Sequence, residues 1–316
     1  MNTNLETQTP RRNKSRVAGL MVNMAGSITI LMWGLSFIST KVLLEHGMGP
    51  VEIYIYRFAM SYLVILLFCH SRFKCHSWRD EGLFVLCGLT GGSIYFIAEN
   101  TALEYTLVQN VSLLTSLSPL ITAMLAGLMY SNEKPSRGMM TGSFVAFIGV
   151  GCVIFNSSTN VEVRPLGDLL SIAAAFSWAV YSLVLRRLNS NYDVWFVTRK
   201  SFFYGVITSL PFLTFSPSLC NPLEVMADPE VLINMLFLGL GASMIAYVLW
   251  SNTVKYLGAV KASNFMYFQS VVTMIASYFI LGEAITVIGV LGCLLIIGGL
   301  WLGDWLTRRA NNRNRA

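Results

Sequence analysis

Apolar runs about 20 residues long dominate this chain, and short charged or turn-rich segments separate them. An α-helix needs a run of that length to cross the hydrocarbon core of a bilayer. We predict ten such spans, five in each half of the sequence. Their expected bounds are 18–44, 53–70, 82–103, 107–130, 138–155, 166–185, 194–215, 231–254, 259–281 and 284–305. The sequence therefore predicts an all-α integral membrane protein.

Composition separates the chain from water-soluble proteins. Its 316 residues are 54% hydrophobic and 12% charged, whereas soluble domains carry about 25% charged residues. No segment between the predicted spans is long enough for a globular domain, and the sequence has no P-loop motif. We therefore expect neither ATP-driven transport by this chain alone nor a cofactor. The apolar run after the basic N-terminus is too long for a signal peptide, so we expect an uncleaved first span.

The basic residues follow the predicted topology. When the N-terminus is placed in the cytoplasm, all but Lys41, Arg57 and Arg164 of the 22 lysines and arginines fall on the cytoplasmic side. Such a bias orients membrane proteins with their basic connections inside. The formal charge of +6 is therefore a topology signal, and we expect no nucleic-acid partner. We predict a multi-pass protein of the cell (inner) membrane, with both termini cytoplasmic and the lipid bilayer around it.

An internal repeat divides the chain into two five-span halves. Two motifs recur in the same order: Asn-Thr before a tyrosine, and a glutamate followed by two glycines at spacings of nine and seven residues. The copies are Asn100, Thr101 and Tyr105 with Asn252, Thr253 and Tyr256, and Glu133, Gly142 and Gly149 with Glu283, Gly292 and Gly299. Because each copy has an odd number of spans, consecutive copies have opposite orientations. Inverted repeats around a central cavity are typical of secondary transporters.

The repeat motifs also carry a family resemblance. The segments are Ala102-Leu103-Glu104-Tyr105-Thr106, Leu117-Ser118-Pro119-Leu120 and Glu133 in the first half, and Gly282-Glu283-Ala284-Ile285-Thr286 with Gly289 and Gly292 in the second. Together they resemble the EamA-type repeat of the drug/metabolite transporter superfamily. The resemblance implies ten helices, cytoplasmic termini, a central cavity and export of metabolites or amino acids. Phe268-Gln269-Ser270 departs from it, because the family's second copy has Leu-x-Pro there and uses the proline to bend span nine.

The predicted organisation follows from the repeat. A cytoplasmic tail (1–17) precedes the first five-helix repeat (18–156), and the second repeat (157–306) precedes a basic cytoplasmic tail (307–316). The G-x-x-x-G pairs Gly138/Gly142 and Gly299/Gly303 favour either packing within the chain or a homodimer, so we expect a monomer or a homodimer.

Polar and small residues at helical spacing identify the faces that line the expected cavity, because polar side chains in a bilayer face protein or water. We predict that these faces bind a small-molecule substrate. The residues are Trp33, Ser36, Tyr95, Glu99, Asn110, Ser118, Trp178, Ser182, Trp250, Lys261, Asn264 and Gln269.

The ionisable residues inside spans admit two interpretations each. Glu99 is either a proton-coupling group or a side chain that reaches outward to water. Arg57 either pairs with Glu99 or Glu52 or attracts a substrate carboxylate. Lys261 is either a substrate anchor or a topology residue. The cysteines and histidines fit no common zinc pattern, so we expect no metal site.

These observations predict a secondary transporter, an exporter of small organic metabolites such as amino acids, working by alternating access. A sugar-phosphate or nucleotide-sugar carrier is the alternative, and it would need several cavity cations. A membrane-embedded enzyme is a distant alternative. Such enzymes usually cluster acids, histidines or metal ligands within spans, whereas His46, His70 and His76 all lie in predicted connections. We therefore predict no catalytic residues.

Overall fold

The computed structural model describes residues 9–70, 73–129, 136–154, 165–215, 227–282 and 284–313, and no β-strand occurs among them. Numbered in chain order, the α-helices are α1 (Thr9–Glu45), α2 (Pro50–Phe68), α3 (Trp78–Gly88), α4 (Ile94–Tyr105), α5 (Val108–Thr115), α6 (Ser118–Met129), α7 (Arg137–Ile154), α8 (Pro165–Asn191), α9 (Val194–Ser209), α10 (Pro229–Leu236), α11 (Ala246–Leu257), α12 (Ala259–Ser263), α13 (Tyr267–Leu281) and α14 (Val287–Arg313). Glu133, Glu283 and the predicted repeat boundary at 156/157 lie outside the described residues.

Seven continuous helices in the described ranges are long and apolar enough to cross a membrane. They are Gly19–Glu45, Pro50–Phe68, Trp78–Tyr105, Pro165–Asn191, Pro229–Leu257, Ala259–Leu281 and Val287–Ala310. The all-helical class is therefore confirmed, whereas the count of ten spans stays a prediction. The predicted span 107–130 is divided into α5 and α6, which begins at Ser118 with Pro119 in its first turn, a position where proline suits a helix.

Two long helices contain π-helical turns. Leu89–Ser93 joins α3 to α4, and Phe237–Ile245 joins α10 to α11. The offset that aligns Tyr105 with Tyr256 in the sequence repeat places the first turn inside the second. Both segments are rich in glycine, and π turns shift the backbone hydrogen-bond pattern, often at functional sites. The repeat is thus visible in a backbone feature that the sequence motifs do not predict.

Local caps define where several helices start and stop. Ser77, Asp193 and Asp228 each accept a hydrogen bond from a backbone N–H in the first turn of the following helix, which satisfies donors that the helix itself leaves free. Gly258 and Gly282 follow the last residues of α11 and α13 with φ of 83° and 69°. Glycine favours that left-handed region because it has no Cβ.

Span nine contains a 3₁₀ turn and no proline at that point. A 3₁₀ turn at Asn264–Met266 joins α12 to α13, although Phe268-Gln269-Ser270 replaces the Leu-x-Pro that the resemblance implies. The same span is continuous by length and hydropathy over Ala259–Leu281. The α-helical backbone is therefore tightened at this point without the loss of an N–H group, and the bend implied by the resemblance stays a prediction.

Helices from the two halves of the sequence are interleaved. Helix α4 packs along α8, and α1 packs against α11 and α13. Helices α7 and α14, the last of each half, pack together along their length. The interior is therefore built by contacts between halves, with the α7–α14 pair on one side.

The glycine pairs bring α7 and α14 together. A Cβ at Gly142 would lie 2.5 Å from Gly299 O and 2.6 Å from Gly303 Cα, and Gly303 in turn approaches the backbone of Gly138. Small residues at this spacing let helix backbones approach closely in membranes. Both G-x-x-x-G pairs are therefore occupied by a contact within the chain.

We expect Gly142→Ala to destabilise the protein by about 1–3 kcal/mol, because the added methyl group must push two helix backbones apart. Gly151→Ala in the same helix is the matched control, since its Cβ would meet no atom within 4 Å. Thermal unfolding of the purified protein in detergent measures both. Equal midpoints for the two variants would contradict this account of the α7–α14 contact.

His46, just after α1, gives the stability a pH dependence. Its Nδ1 lies 2.9 Å from Val42 O, and its Nε2 lies 3.7 Å from both Asp228 Oδ2 and Glu230 Oε2. The hydrogen bond to Val42 and the nearby acids raise the pKa of His46 above 6.5. A raised pKa stabilises the fold at pH values below the unfolded-state pKa, and this contribution is lost as pH rises through the folded-state pKa.

We therefore expect the thermal midpoint to fall slightly as the pH rises from about 6 to 8. His46→Gln removes the charge change and should flatten this part of the curve. Thermal unfolding across that pH range checks it, and an identical slope in the variant would assign the dependence to another group.

Candidate functional site

A cluster of buried aromatic side chains lies where the two halves of the chain meet. The Trp33 ring on α1 has its centroid 5.0 Å from that of Trp178 on α8 and 5.1 Å from that of Trp250 on α11. Tyr247, also on α11, lies 5.7 Å from Trp33. All four side chains are at most 5% exposed. Edge and tilted ring contacts of this kind add to the stability that burial provides.

Carbonyl groups of the two π turns orient this cluster. Trp33 Nε1 donates to Ala242 O at 2.9 Å, and Tyr247 Oη donates to Gly91 O at 2.7 Å. Ser61 Oγ likewise donates to Gly239 O at 2.6 Å. Backbone groups at membrane depth need partners inside the protein, so each π turn draws side chains from another helix. The turns position the aromatic residues.

A small cavity of about 10 Å³ lies beside the cluster. Its walls come from α1, α4, α8 and α13. They are formed by Trp33, Ser36, Phe37, Tyr95, Phe96, Glu99, Trp178 and Gln269. That volume holds about one water molecule, so the structure shows the central site closed. Six of the twelve predicted substrate-binding residues meet here.

Glu99 points into this interior. It is 5% exposed and lines the cavity, and Tyr95 Oη donates a hydrogen bond to its carboxylate. The side chain therefore does not reach outward to water, whereas its role in proton coupling stays a prediction. A carboxylate inside a membrane needs such donors or a nearby cation.

Arg57 is fully buried near the same cavity. Its Nε donates to Ser243 Oγ at 2.8 Å, and its Cζ lies 4.4 Å from the centroid of the Phe96 ring. Nη1 and Nη2 have no hydrogen-bond partner among the described groups. Glu52, one expected partner, accepts from Gly49 N at 2.9 Å instead. Pairing with an acid is one of the two interpretations of Arg57, and neither of its Nη atoms makes such a pair.

Lys261 and Asn264 line a second, larger cavity of about 660 Å³. Asn23 of α1 and Arg308 of α14 also line it, so it lies at the basic end of the bundle. Phe268 lines this cavity whereas the next residue, Gln269, lines the central one. The first turn of α13 therefore contributes to both.

The other predicted residues lie outside both cavity walls. Trp250 packs on Trp33 as described, and Ser182 Oγ donates to Trp178 O at 3.0 Å. Asn110 Nδ2 donates to Thr106 Oγ1 at 3.2 Å, and Ser118 Oγ donates to Thr115 O at 2.6 Å at the break between α5 and α6. The spacing of polar residues predicted that these side chains lie in the interior. Three of them form hydrogen bonds to residues three or four positions earlier in the chain.

Sequence reasoning missed Tyr247 and Phe96. Tyr247 lies between Ser243 and Trp250 on one face of its helix, at spacings of four and three residues, so the polar stripe could have included it. Phe96 has no polar signal. Its position beside Arg57 depends on the packing of α2 against α4, which a single sequence does not disclose.

We expect Trp33→Phe to lower stability by about 1–3 kcal/mol, because Ala242 O loses its buried donor. Trp195→Phe is the matched control, since Trp195 is 40% exposed and its indole lies outside the cluster. Thermal unfolding in detergent compares the two. A similar loss in both variants would mean that the indole hydrogen bond to the π turn contributes little.

Apolar spanning helices, a twofold sequence repeat and a small buried cavity between the halves are features of membrane transporters. The model of the EamA-like transporter family matches residues 20–155 and again residues 165–302. The chain therefore belongs to this family, and the two matched regions correspond to the two predicted repeats.

Proteins that are similar in sequence to this chain are also described as transporters. An uncharacterized transporter of Archaeoglobus fulgidus is 27% identical over 287 residues, which cover 87% of this chain and 94% of the relative. A probable amino-acid metabolite efflux pump of Escherichia coli is 24% identical over 281 residues, which cover 87% and 92%. A crystal structure with 18% identity and a TM-score of 0.72 covers 92% of this chain and 98% of that one. This last likeness shows the fold.

Proposed function

We propose that this chain is a secondary carrier that exports small organic metabolites such as amino acids by alternating access. The observation that carries the proposal is the closed cavity between the halves, where Trp33, Tyr95 and Glu99 of one half meet Trp178 and Gln269 of the other. A site shared by two halves opens to either side when one half rocks against the other. In that cycle the structure represents a state whose central cavity, about 10 Å³, is too small for an organic solute.

Two five-helix repeats of opposite orientation account for the motion. The π turns Leu89–Ser93 and Phe237–Ile245 lie at matching positions of the repeats, and each bonds to side chains of other helices near the aromatic cluster. Ten spans, cytoplasmic termini and a location in the inner membrane complete the proposal, on the basis of the repeat and the charge bias.

The larger cavity is the proposed cytoplasmic vestibule. Lys261, Asn264 and Arg308 line it at the basic end of the bundle, which the charge bias places in the cytoplasm. A solute would pass from there to the central cavity along the first turn of α13. The Escherichia coli relative is a probable efflux pump, which supports this direction.

The central cavity favours an amino acid over a phosphorylated solute. Its walls combine indole and phenol rings with Ser36, Glu99 and Gln269, and they include no lysine or arginine. A phosphate group requires several cationic donors. A closed pocket with one carboxylate and large aromatic surfaces suits a small amphipathic cation or zwitterion.

Transport into proteoliposomes tests the proposal. We expect the reconstituted protein to move at least one radiolabelled L-amino acid well above protein-free vesicles, and a pH gradient to increase its accumulation. Glu99→Gln should abolish the effect of the gradient, because the variant cannot exchange a proton at that position. Exchange should continue at a lower rate, because the same change removes a negative charge from the cavity wall. Glu104→Gln is the matched control, an exposed acid on the same helix.

Each outcome tests a different part of the proposal: proton coupling, the coupling residue or the substrate class. Flux indifferent to the gradient in the wild type would remove proton coupling and leave a facilitative carrier. A gradient effect that survives in Glu99→Gln would assign coupling to another group. Movement of phosphorylated solutes alone would overturn the proposed substrate class.

A further inference from the structure

Hydrogen-bond donors without partners are concentrated around the central cavity. Arg57 Nη1 and Nη2, Tyr54 Oη, Trp178 Nε1 and Trp250 Nε1 are all buried, and none has a partner among the described groups. Trp178 lines the cavity, and Trp250 packs on it with ring centroids 6.2 Å apart. Buried donors are normally paired, and an unpaired group is costly. Gln269 Oε1, an acceptor on the cavity wall, is also buried without a partner among the described groups. The five unpaired donor atoms named above therefore outnumber this one acceptor.

Arg57 is the strongest of these donors. Ser243 Oγ accepts from its Nε at 2.8 Å and so orients the guanidinium while both terminal nitrogens stay free. A planar guanidinium with two free N–H₂ groups matches the two oxygens of a carboxylate. A cation inside a membrane-spanning bundle is also costly when no acid forms a salt bridge with it.

Glu99 is an acidic side chain that could pair with Arg57, but its carboxylate already has another hydrogen-bond partner. Tyr95 donates to its carboxylate, and neither Nη of Arg57 does, although the two charges interact electrostatically. Phe96 connects the two regions, since its ring lines the cavity and lies 4.4 Å from Arg57 Cζ. Arg57 does not line the cavity itself, but its guanidinium contacts a ring that does, and Glu99 lies on the cavity wall. A cation one ring away from the cavity and an acid on its wall match a ligand that carries both charges.

We propose that Arg57 binds the carboxylate of the transported solute, with the solute's ammonium group held by Glu99 and the indole rings. This inference rests on the proposed carrier function and identifies the ligand class as α-amino acids with a free carboxylate. Stacking of the guanidinium on Phe96 is the structural role that the test must separate from binding.

The experiment measures equilibrium binding to the detergent-purified full-length chain. The 20 common L-amino acids are screened first, and the tightest binder is compared with its carboxamide and with the amine that lacks the carboxyl group. We expect the wild type to bind the acid about tenfold to a hundredfold more tightly than either analogue, as a charged hydrogen-bond pair implies.

Arg57→Gln should bind the acid and the amide equally, and Arg57→Lys should keep part of the preference. Arg199→Gln is the matched control, because Arg199 is also buried, at 2% exposure, but it donates to Cys69 O and lines neither site cavity. The control should change stability without changing the ratio of acid to amide affinity.

A wild type that binds acid and amide equally overturns the role of Arg57 while transport itself stands. An unchanged ratio in Arg57→Gln does the same and leaves Arg57 with the structural role on Phe96. Absence of binding and of flux for all 20 amino acids overturns the proposed substrate class as well. If Arg57→Gln does not fold, the ratio of acid to amide affinity in the wild type and in Arg57→Lys tests whether Arg57 binds the carboxylate.

Discussion

A backbone carbonyl at membrane depth has no water to bond, so the protein must supply its partner. The two π turns expose such carbonyls at matching positions of the repeats. Trp33 bonds to Ala242 O and Tyr247 bonds to Gly91 O, and both side chains then pack in one cluster. The aromatic interior and the cavity beside it depend on these cross-helix bonds, because they determine which rings face inward.

The same interior contains two charges that remain apart. Glu99 accepts from Tyr95, and Arg57 donates to Ser243, while the remaining guanidinium nitrogens have no partner in the described part of the chain. A bundle optimised only for stability would neutralise them against each other or replace them with apolar side chains. Under the proposed function, a solute that carries both charges would supply the missing partners.

Much of the fold was predictable because lipid imposes strong rules on sequence. Apolar length predicted helical spans. Glycine spacing predicted a close helix contact but left open whether it lies within the chain, as Gly142 shows with Gly299 and Gly303, or in a homodimer. The site was only partly predictable. Glu99, Trp33 and Trp178 meet as the polar stripes indicate, but Lys261 lies in a different cavity and Asn110 donates to Thr106 just before its helix. Helical periodicity specifies a face but not the neighbour that the face contacts.

By itself the sequence determined the helical membrane class, the twofold repeat and the family, because each depends on residue type and spacing along the chain. Only the tertiary structure decided that Arg57 stacks on Phe96 beside the cavity instead of pairing with Glu99 or Glu52, and that Glu99 faces inward. The physical reason is that both outcomes depend on contacts between helices distant in sequence, where a π turn rotates the helix and changes which side chains meet.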